Sequence, residues 1–302
     1  MRIDGVEIED SFAEAFGMRG TRLLVTADTP RWARTAGESM TGFSTSVIGC
    51  GVEAGIEREL SPEETPDGRP GIAVLLFAMS TDGLGKALID RVGQCVLTCP
   101  GTACYAGLPD GDARLPVGNA LRYFGDGFQT AKRLGERRFW RIPVMDGEFL
   151  CEDATGVTKA AVGGGNFLIL ARDRVAALTA AERAIDAMRE VREVVMPFPG
   201  GLVRSGSKVG SRYKALMAST NHRYCPTLKG GIEDSALGPE VGSVLEIVID
   251  GLTEAAVAEA MRVGVRAACG AGGAEAGVLR ITAGNYGGKL GPFHFHLREL
   301  LA

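Results

Sequence analysis

Glu246 is a carboxylate placed where the surrounding sequence calls for a hydrocarbon. It stands inside Val244-Leu245-Glu246-Ile247-Val248-Ile249, a run that reads as a strand. Burying a charged carboxyl costs several kcal/mol, so such a group stays protonated or finds a partner. Held near neutrality, it can give and take protons as a general acid and base. Period-two geometry puts Val244, Glu246 and Val248 on one face and Leu245, Ile247 and Ile249 on the other. An antiparallel sheet wet on one side would explain the same pattern without any chemistry. Spacing alone leaves both readings open.

Two glycine-rich stretches could cradle an anion. Pro197-Phe198-Pro199-Gly200-Gly201-Leu202-Val203-Arg204-Ser205-Gly206-Ser207-Lys208-Val209-Gly210-Ser211 would let backbone N–H groups approach an oxyanion or phosphate, with Lys208 to neutralise it. Ser207 stands where a Walker lysine should follow Gly206, so this is no phosphate loop of that type. A bulged strand edge explains the stretch equally well. Ala283-Gly284-Asn285-Tyr286-Gly287-Gly288-Lys289-Leu290-Gly291 has the same character and also lacks the phosphate-loop spacing. Ser219-Thr220-Asn221-His222-Arg223-Tyr224-Cys225-Pro226-Thr227 is a donor-dense loop, fit for substrate contacts or for plain solvation.

Other signals close off alternatives. His294 and His296 share a strand face, but no third ligand is placed by the sequence, so no metal is expected. Cys95, Cys99 and Cys104 match no zinc or iron–sulfur spacing and read as small buried hydrophobes. No Gly-x-Ser-x-Gly elbow exists, which weakens a serine hydrolase.

The elements that would position these residues come in duplicate. Pro70 to Ser80 followed by Gly83 to Gly93 aligns without gaps on Val241 to Gly251 followed by Glu254 to Gly264. Gly71 then falls on Gly242, Leu75 on Glu246 and Gly93 on Gly264. Upstream, Arg22–Thr26 reads as a strand before a helix from Pro30 to about Ser39. Its counterpart is Asn166–Ala171 before a helix opening at Thr179, where Thr179 and Glu182 form a capping box. Each half thus reads strand–helix–strand–strand–helix–strand. The expected fold is α+β, two duplicated ferredoxin-like (split βαβ) lobes spanning 1–145 and 146–302. A doubly wound nucleotide fold would alternate more regularly.

Composition bounds the function. Of 302 residues, 45% are hydrophobic, enough for a sizeable core, and 33 basic against 37 acidic residues leave a net charge of −4. That balance argues against a dedicated nucleic-acid binder, and 6% aromatics give no base-stacking platform. The 43 glycines lack a three-residue period, which excludes collagen. The acidic start has no apolar secretory core, and Ile72–Met79 is far short of the roughly 20 residues of a membrane span. A cytoplasmic protein with seven reduced cysteines, off the membrane, is expected.

Taken together, these segments resemble the formylmethanofuran–tetrahydromethanopterin formyltransferase family over nearly the whole chain. The matching words include Gly5–Asp10 with Phe12–Phe16, Thr41-Gly42-Phe43, Glu53-Ala54-Gly55-Ile56, Pro62–Gly71, Gly93-Gln94-Cys95-Val96, and Phe124-Gly125-Asp126-Gly127. They continue through Gly147-Glu148-Phe149, Gly165-Asn166-Phe167, Pro197–Gly201, Ser207–Ser211, Ala218–Asn221, Tyr224–Thr227 and Gly284–Gly291. The family's duplicated ferredoxin-like fold agrees with the repeat read above.

The resemblance implies transfer of a formyl group between N5 of tetrahydromethanopterin and the amine of methanofuran, both as substrates, with no metal or flavin. The acceptor amine is the nucleophile, so what is needed is a proton carrier and donors for the developing oxyanion. The family's strand word implies Glu246 as that carrier. It points to Ser205, Ser207, Lys208, Ser219, Thr220, Asn221, Asn285 and Lys289 as the cofactor-binding residues. The Arg-, Ala- and Gly-rich composition and the departing stretch Pro109–Asn119 look more like the related subunit of a methylotroph formyltransferase/hydrolase complex. That implies a homo-oligomer or a subunit of such a complex. A non-catalytic scaffold holding methanofuran for a partner hydrolase, or an unrelated cofactor-binding module on the same fold, is the alternative. A scaffold has no reason to carry a carboxyl in that strand.

Overall fold

The run Gly71–Ala78 is buried at every position, which explains its unbroken apolar sequence: it is a central strand covered on both faces. The computed structural model describes residues 1–302 and divides them into two units, Met18–Ala161, and Met1–Gly17 with Val162–Ala302.

In the unit Met18–Ala161 the order is strand Arg19–Thr26, helix Pro30–Thr41, strands Glu53–Leu60 and Gly71–Ala78, helix Thr81–Arg91, strand Ala103–Ala106. In space the second strand lies beside the third, the third beside the first, and the first beside the fourth, all antiparallel. That is the split βαβ arrangement. Leu23, Val25, Val74 and Leu76 on one sheet face pack against Ala33, Ala36, Met40, Leu84 and Leu88 of the helices. Thr29 and Ser80 cap the two helices by accepting from the N–H groups of Trp32 and Gly83.

The unit containing Val162–Ala302 repeats this plan. Strand Val162–Ala171, helix Arg174–Met188, strands Val194–Val195 and Ser243–Gly251, helix Glu254–Cys269 and strand Val278–Thr282 follow in order. Their lateral order is the same as in the other unit. Helix Arg174–Met188 buries Ala176, Ala177, Ala180, Ala181 and Ala184, a small-residue face that brings the two helices close. At Gly264 a Cβ would meet the Met188 side chain and the tip of the Phe167 ring, so a larger residue there would require Met188 to shift.

One expectation needs correction, and the expected 145/146 division stands beside a second one drawn by packing. The helix begins at Arg174 with Asp173 as its cap, accepting from the Ala176 N–H at 2.9 Å; Thr179 lies inside it. The units also part elsewhere than at 145/146. Gly147–Glu152 turns straight back on Arg137–Val144 and pairs in parallel with Ala103–Ala106, so it belongs with Met18–Ala161. At the other end, Val6–Ile8 pairs with Val278–Thr282, and Phe12–Gly17 with Phe293–His296 and Val162, which ties the N-terminus to the later unit. No helix is long and apolar enough to cross a membrane. All seven cysteines are free thiols; Cys104, Cys151 and Cys269 are buried.

Candidate functional site

Glu246 lies at the middle of strand Ser243–Gly251, flanked on one side by Leu168 of Val162–Ala171. On the other side its backbone exchanges both bonds with Val203, at 3.0 and 2.8 Å. Ile247 and Ile249 face the helices, so the period-two alternation turns Glu246 to the opposite face. There the long segment between Val195 and Ser243 folds back over the sheet, with Tyr224 and Leu237 packed on Leu168, Leu170 and Val244. The cover is incomplete. It leaves a cleft of about 560 Å³ with Glu246 in its wall.

Burial pushes the Glu246 carboxyl from 4.5 up to about 7. Its repeat counterpart Leu75 is fully buried hydrocarbon. The second copy of the fold has therefore put an ionisable group where the first keeps an apolar one, and has opened a cleft onto it.

Of the residues expected to bind cofactor, Ser205 and Asn221 line this cleft with Glu246, on either side of Gly206. Ser207 does not line it, but its side chain is within hydrogen-bonding reach of the Tyr286 hydroxyl. Burial raises the Tyr286 phenol above its ordinary value, and the Glu246 charge adds to this. Lys208, Ser219 and Thr220 sit on the hairpin formed by Ser207–Val209 and Ala218–Thr220, outside the cleft lining. Ser219 donates to the Gly210 carbonyl at 2.7 Å, and Thr220 contacts Cys225 Sγ at 3.4 Å.

The cations in the cleft are Arg174 and Arg204, not Lys208. Arg204 was visible in the glycine-rich word; Arg174 comes from the first turn of a helix whose start the sequence masked. Tyr224 and Cys225 also line the cleft. The Tyr224 hydroxyl is taken up by Thr282. Cys225 Sγ donates to the Asn221 carbonyl at 3.5 Å, while the nearby His222 ring pairs with Asp234 at 3.0 Å. No histidine is thus placed to activate the thiol as a nucleophile.

The second glycine-rich loop is indeed an anion cradle, but its anion is internal. Glu14, buried on strand Phe12–Gly17, takes the N–H groups of Tyr286, Gly288, Leu290 and Gly291. Those donors are therefore spent, and Asn285 and Lys289 stand outside the cleft on an occupied loop. Asn285 instead donates to the Phe12 carbonyl at 3.4 Å. His294 and His296 lie 4.9 and 5.1 Å from the Phe12 ring. No three His, Cys, Asp or Glu side chains converge as a metal site would require.

Fold and cleft together define a protein of two α+β units of like plan, one of which carries a cleft with a carboxyl in its wall. The chain belongs to the formylmethanofuran–tetrahydromethanopterin formyltransferase family. That family's description matches residues 1–144 and its proximal lobe matches 147–300. A formylmethanofuran–tetrahydromethanopterin formyltransferase of Methylococcus capsulatus is 63% identical over 302 residues, covering 100% of both chains. One chain of the formyltransferase/hydrolase complex of Methylorubrum extorquens is 59% identical, over 99% of this chain and 97% of its own.

Two solved structures are similar throughout. The formyltransferase/hydrolase complex of Methylorubrum extorquens with methylofuran matches at TM-score 0.96 and 58% identity, covering 100% of this chain and 99% of that one. The Methanosarcina barkeri formyltransferase matches at TM-score 0.94 and 47% identity, covering 99% and 100%.

Proposed function

We propose that this protein transfers a formyl group between N5 of tetrahydromethanopterin and the amine of methanofuran, with Glu246 carrying the proton. The observation that supports the role of Glu246 is its place: a mid-strand carboxyl, raised to about 7, in the wall of a 560 Å³ cleft. The acceptor amine attacks the formyl carbon, giving a tetrahedral intermediate with negative charge on oxygen. Ser205 and Asn221 supply the hydroxyl and amide donors in the cleft, and Arg204 the positive charge, that favour this oxyanion. Collapse breaks the other C–N bond: protonated Glu246 gives its proton to the departing nitrogen, and the carboxylate so formed takes the surplus proton of the attacking nitrogen, which restores it. The reverse reaction runs through the same exchange with the two nitrogens interchanged. The chemistry needs no covalent enzyme intermediate, consistent with the unactivated Cys225.

The test is Glu246→Gln, which keeps shape and removes the transferable proton. General acid–base groups contribute about 10²–10⁴-fold, so turnover should fall by that order with the fold intact. A variant retaining more than about a third of wild-type turnover would falsify the assignment.

We also propose that the chain works as an oligomer or as one component of a formyltransferase/hydrolase complex, supported by its 59% identity to a chain of that assembly in Methylorubrum extorquens. Light scattering should give a mass above that of one chain, alone or with candidate hydrolase subunits. A monomer under both conditions would count against it.

A further inference from the structure

The loop Ala283–Gly291 is folded around a side chain from the far end of the sequence. Glu14 is 1% exposed. Its Oε2 accepts from the N–H groups of Tyr286 at 2.7 Å and Gly288 at 2.9 Å, and its Oε1 from Gly291 at 3.1 Å and from Leu290. Gly287 and Gly288, at φ +83° and +70°, give the left-handed backbone that turns successive N–H groups inward. At Gly291 a Cβ would strike the Ala15 backbone.

Desolvation penalises the Glu14 charge, but the four donors outweigh it and hold the carboxyl below its ordinary value. A second clamp sits at the loop's other end, where Asn166 accepts from the Gly284 N–H at 2.6 Å and donates to the Gly284 carbonyl at 3.2 Å.

This is more anchorage than a surface turn requires, since an apolar side chain would fill the same space without a desolvated charge. What the anchorage holds is Tyr286, whose hydroxyl reaches Ser207, next in sequence to the Ser205 and Gly206 that line the cleft. Glu14 and Tyr286 both lie outside the lining of the cleft.

We propose that Glu14 is a positioning residue: by gathering the loop's N–H groups it sets the Tyr286 hydroxyl on Ser207 and so braces the Ser205–Gly206 wall of the Glu246 cleft. The inference rests on the formyl-transfer reading above, and gives Glu14 no contact with substrate.

The experiment compares Glu14→Gln, Tyr286→Phe and the double variant in the full-length protein. Glutamine presents one oxygen and one NH₂, so it can serve only one of the two N–H pairs. Amide exchange at Tyr286 and Gly288, or at Leu290 and Gly291, should quicken by about tenfold or more. Turnover at saturating substrate should fall about tenfold with KM little changed, as expected when a wall of the reacting centre is displaced. Added to Tyr286→Phe, the Glu14 change should cost almost nothing more, because both act through one hydroxyl.

Unchanged exchange at all four amides would overturn the proposal, as would an undiminished loss of turnover in the Tyr286→Phe background. Should Glu14→Gln not fold, Glu14→Asp, a carboxylate drawn back by one methylene, is read by the same exchange and cycle measurements. A wild-type protein inactive in formyl transfer overturns the functional reading instead; exchange at the four amides then still decides whether Glu14 places the loop.

Discussion

Glu246 carries a thermodynamic signature that can be separated from its catalysis. Its carboxyl binds a proton up to about pH 7 in the folded chain, against an ordinary value of 4.5. Between those values the native state holds a proton that the unfolded state has released. Stability therefore falls as pH rises through this window and levels off above it. The loss is up to about 3 kcal/mol, at about 1.4 kcal/mol per pH unit. Glu246→Gln should remove that slope and melt higher than wild type at pH 8, while the two converge near pH 4. Parallel melting curves across the range would show that the carboxyl is not desolvated.

The catalytic counterpart has the same sign in both directions, because one transition state serves both and Glu246 must enter it protonated. Rate profiles taken from either side should fall as pH rises through about 7. This residue was legible because a two-residue period and an apolar run need nothing beyond neighbouring letters. Glu14 was not legible: its partners lie more than 270 positions away, and Ala13-Glu14-Ala15 gives no local sign of them.

At the scale of elements, the duplicated strands pose a direct comparison. Gly71–Ala78 and Ser243–Gly251 occupy the same place in their sheets, yet the first is sealed at every position and the second opens on a cleft. The repeat and the strand order could be read in advance because hydrophobic periodicity encodes them twice. The segment over Glu246 could not, since its short pairings and 3₁₀ turns follow from packing on the sheet, not from any period. Nor could the cap be chosen: Thr179 with Glu182 is locally persuasive, but Asp173 comes directly off the strand end and starts the helix first. The comparison predicts an asymmetry. Leu75→Glu should destabilise by about 3 kcal/mol or more, because the position is fully buried and the cation across the strand pair, Arg22, is already held by Glu57. Chemical denaturation reads this directly, and a cost below about 1 kcal/mol would mean that Leu75 can reach water.

For the whole chain, strand pairing and sequence similarity divide the protein differently. The family's two descriptions meet between 144 and 147, where the chain makes a tight turn from Val144 to Gly147. The strand after that turn fills the gap between Ala103–Ala106 and Arg137–Val144 in one sheet. A cut at 145/146 thus removes an interior strand from the first product, and removes Val6–Ile8 and Phe12–Gly17 from the sheet of the second. An interior strand takes two rows of hydrogen bonds and a stripe of core with it, here Phe149 and Cys151, a loss of several kcal/mol against a stability of only about 5–15. Fragment 18–161 keeps its sheet complete. Expressed separately, 18–161 should give a cooperative thermal transition by circular dichroism, whereas 1–145 and 146–302 should each melt without one or aggregate. A sharp transition in 1–145 equal to that of 18–161 would show that Gly147–Glu152 is dispensable, and would place the folding boundary at the turn.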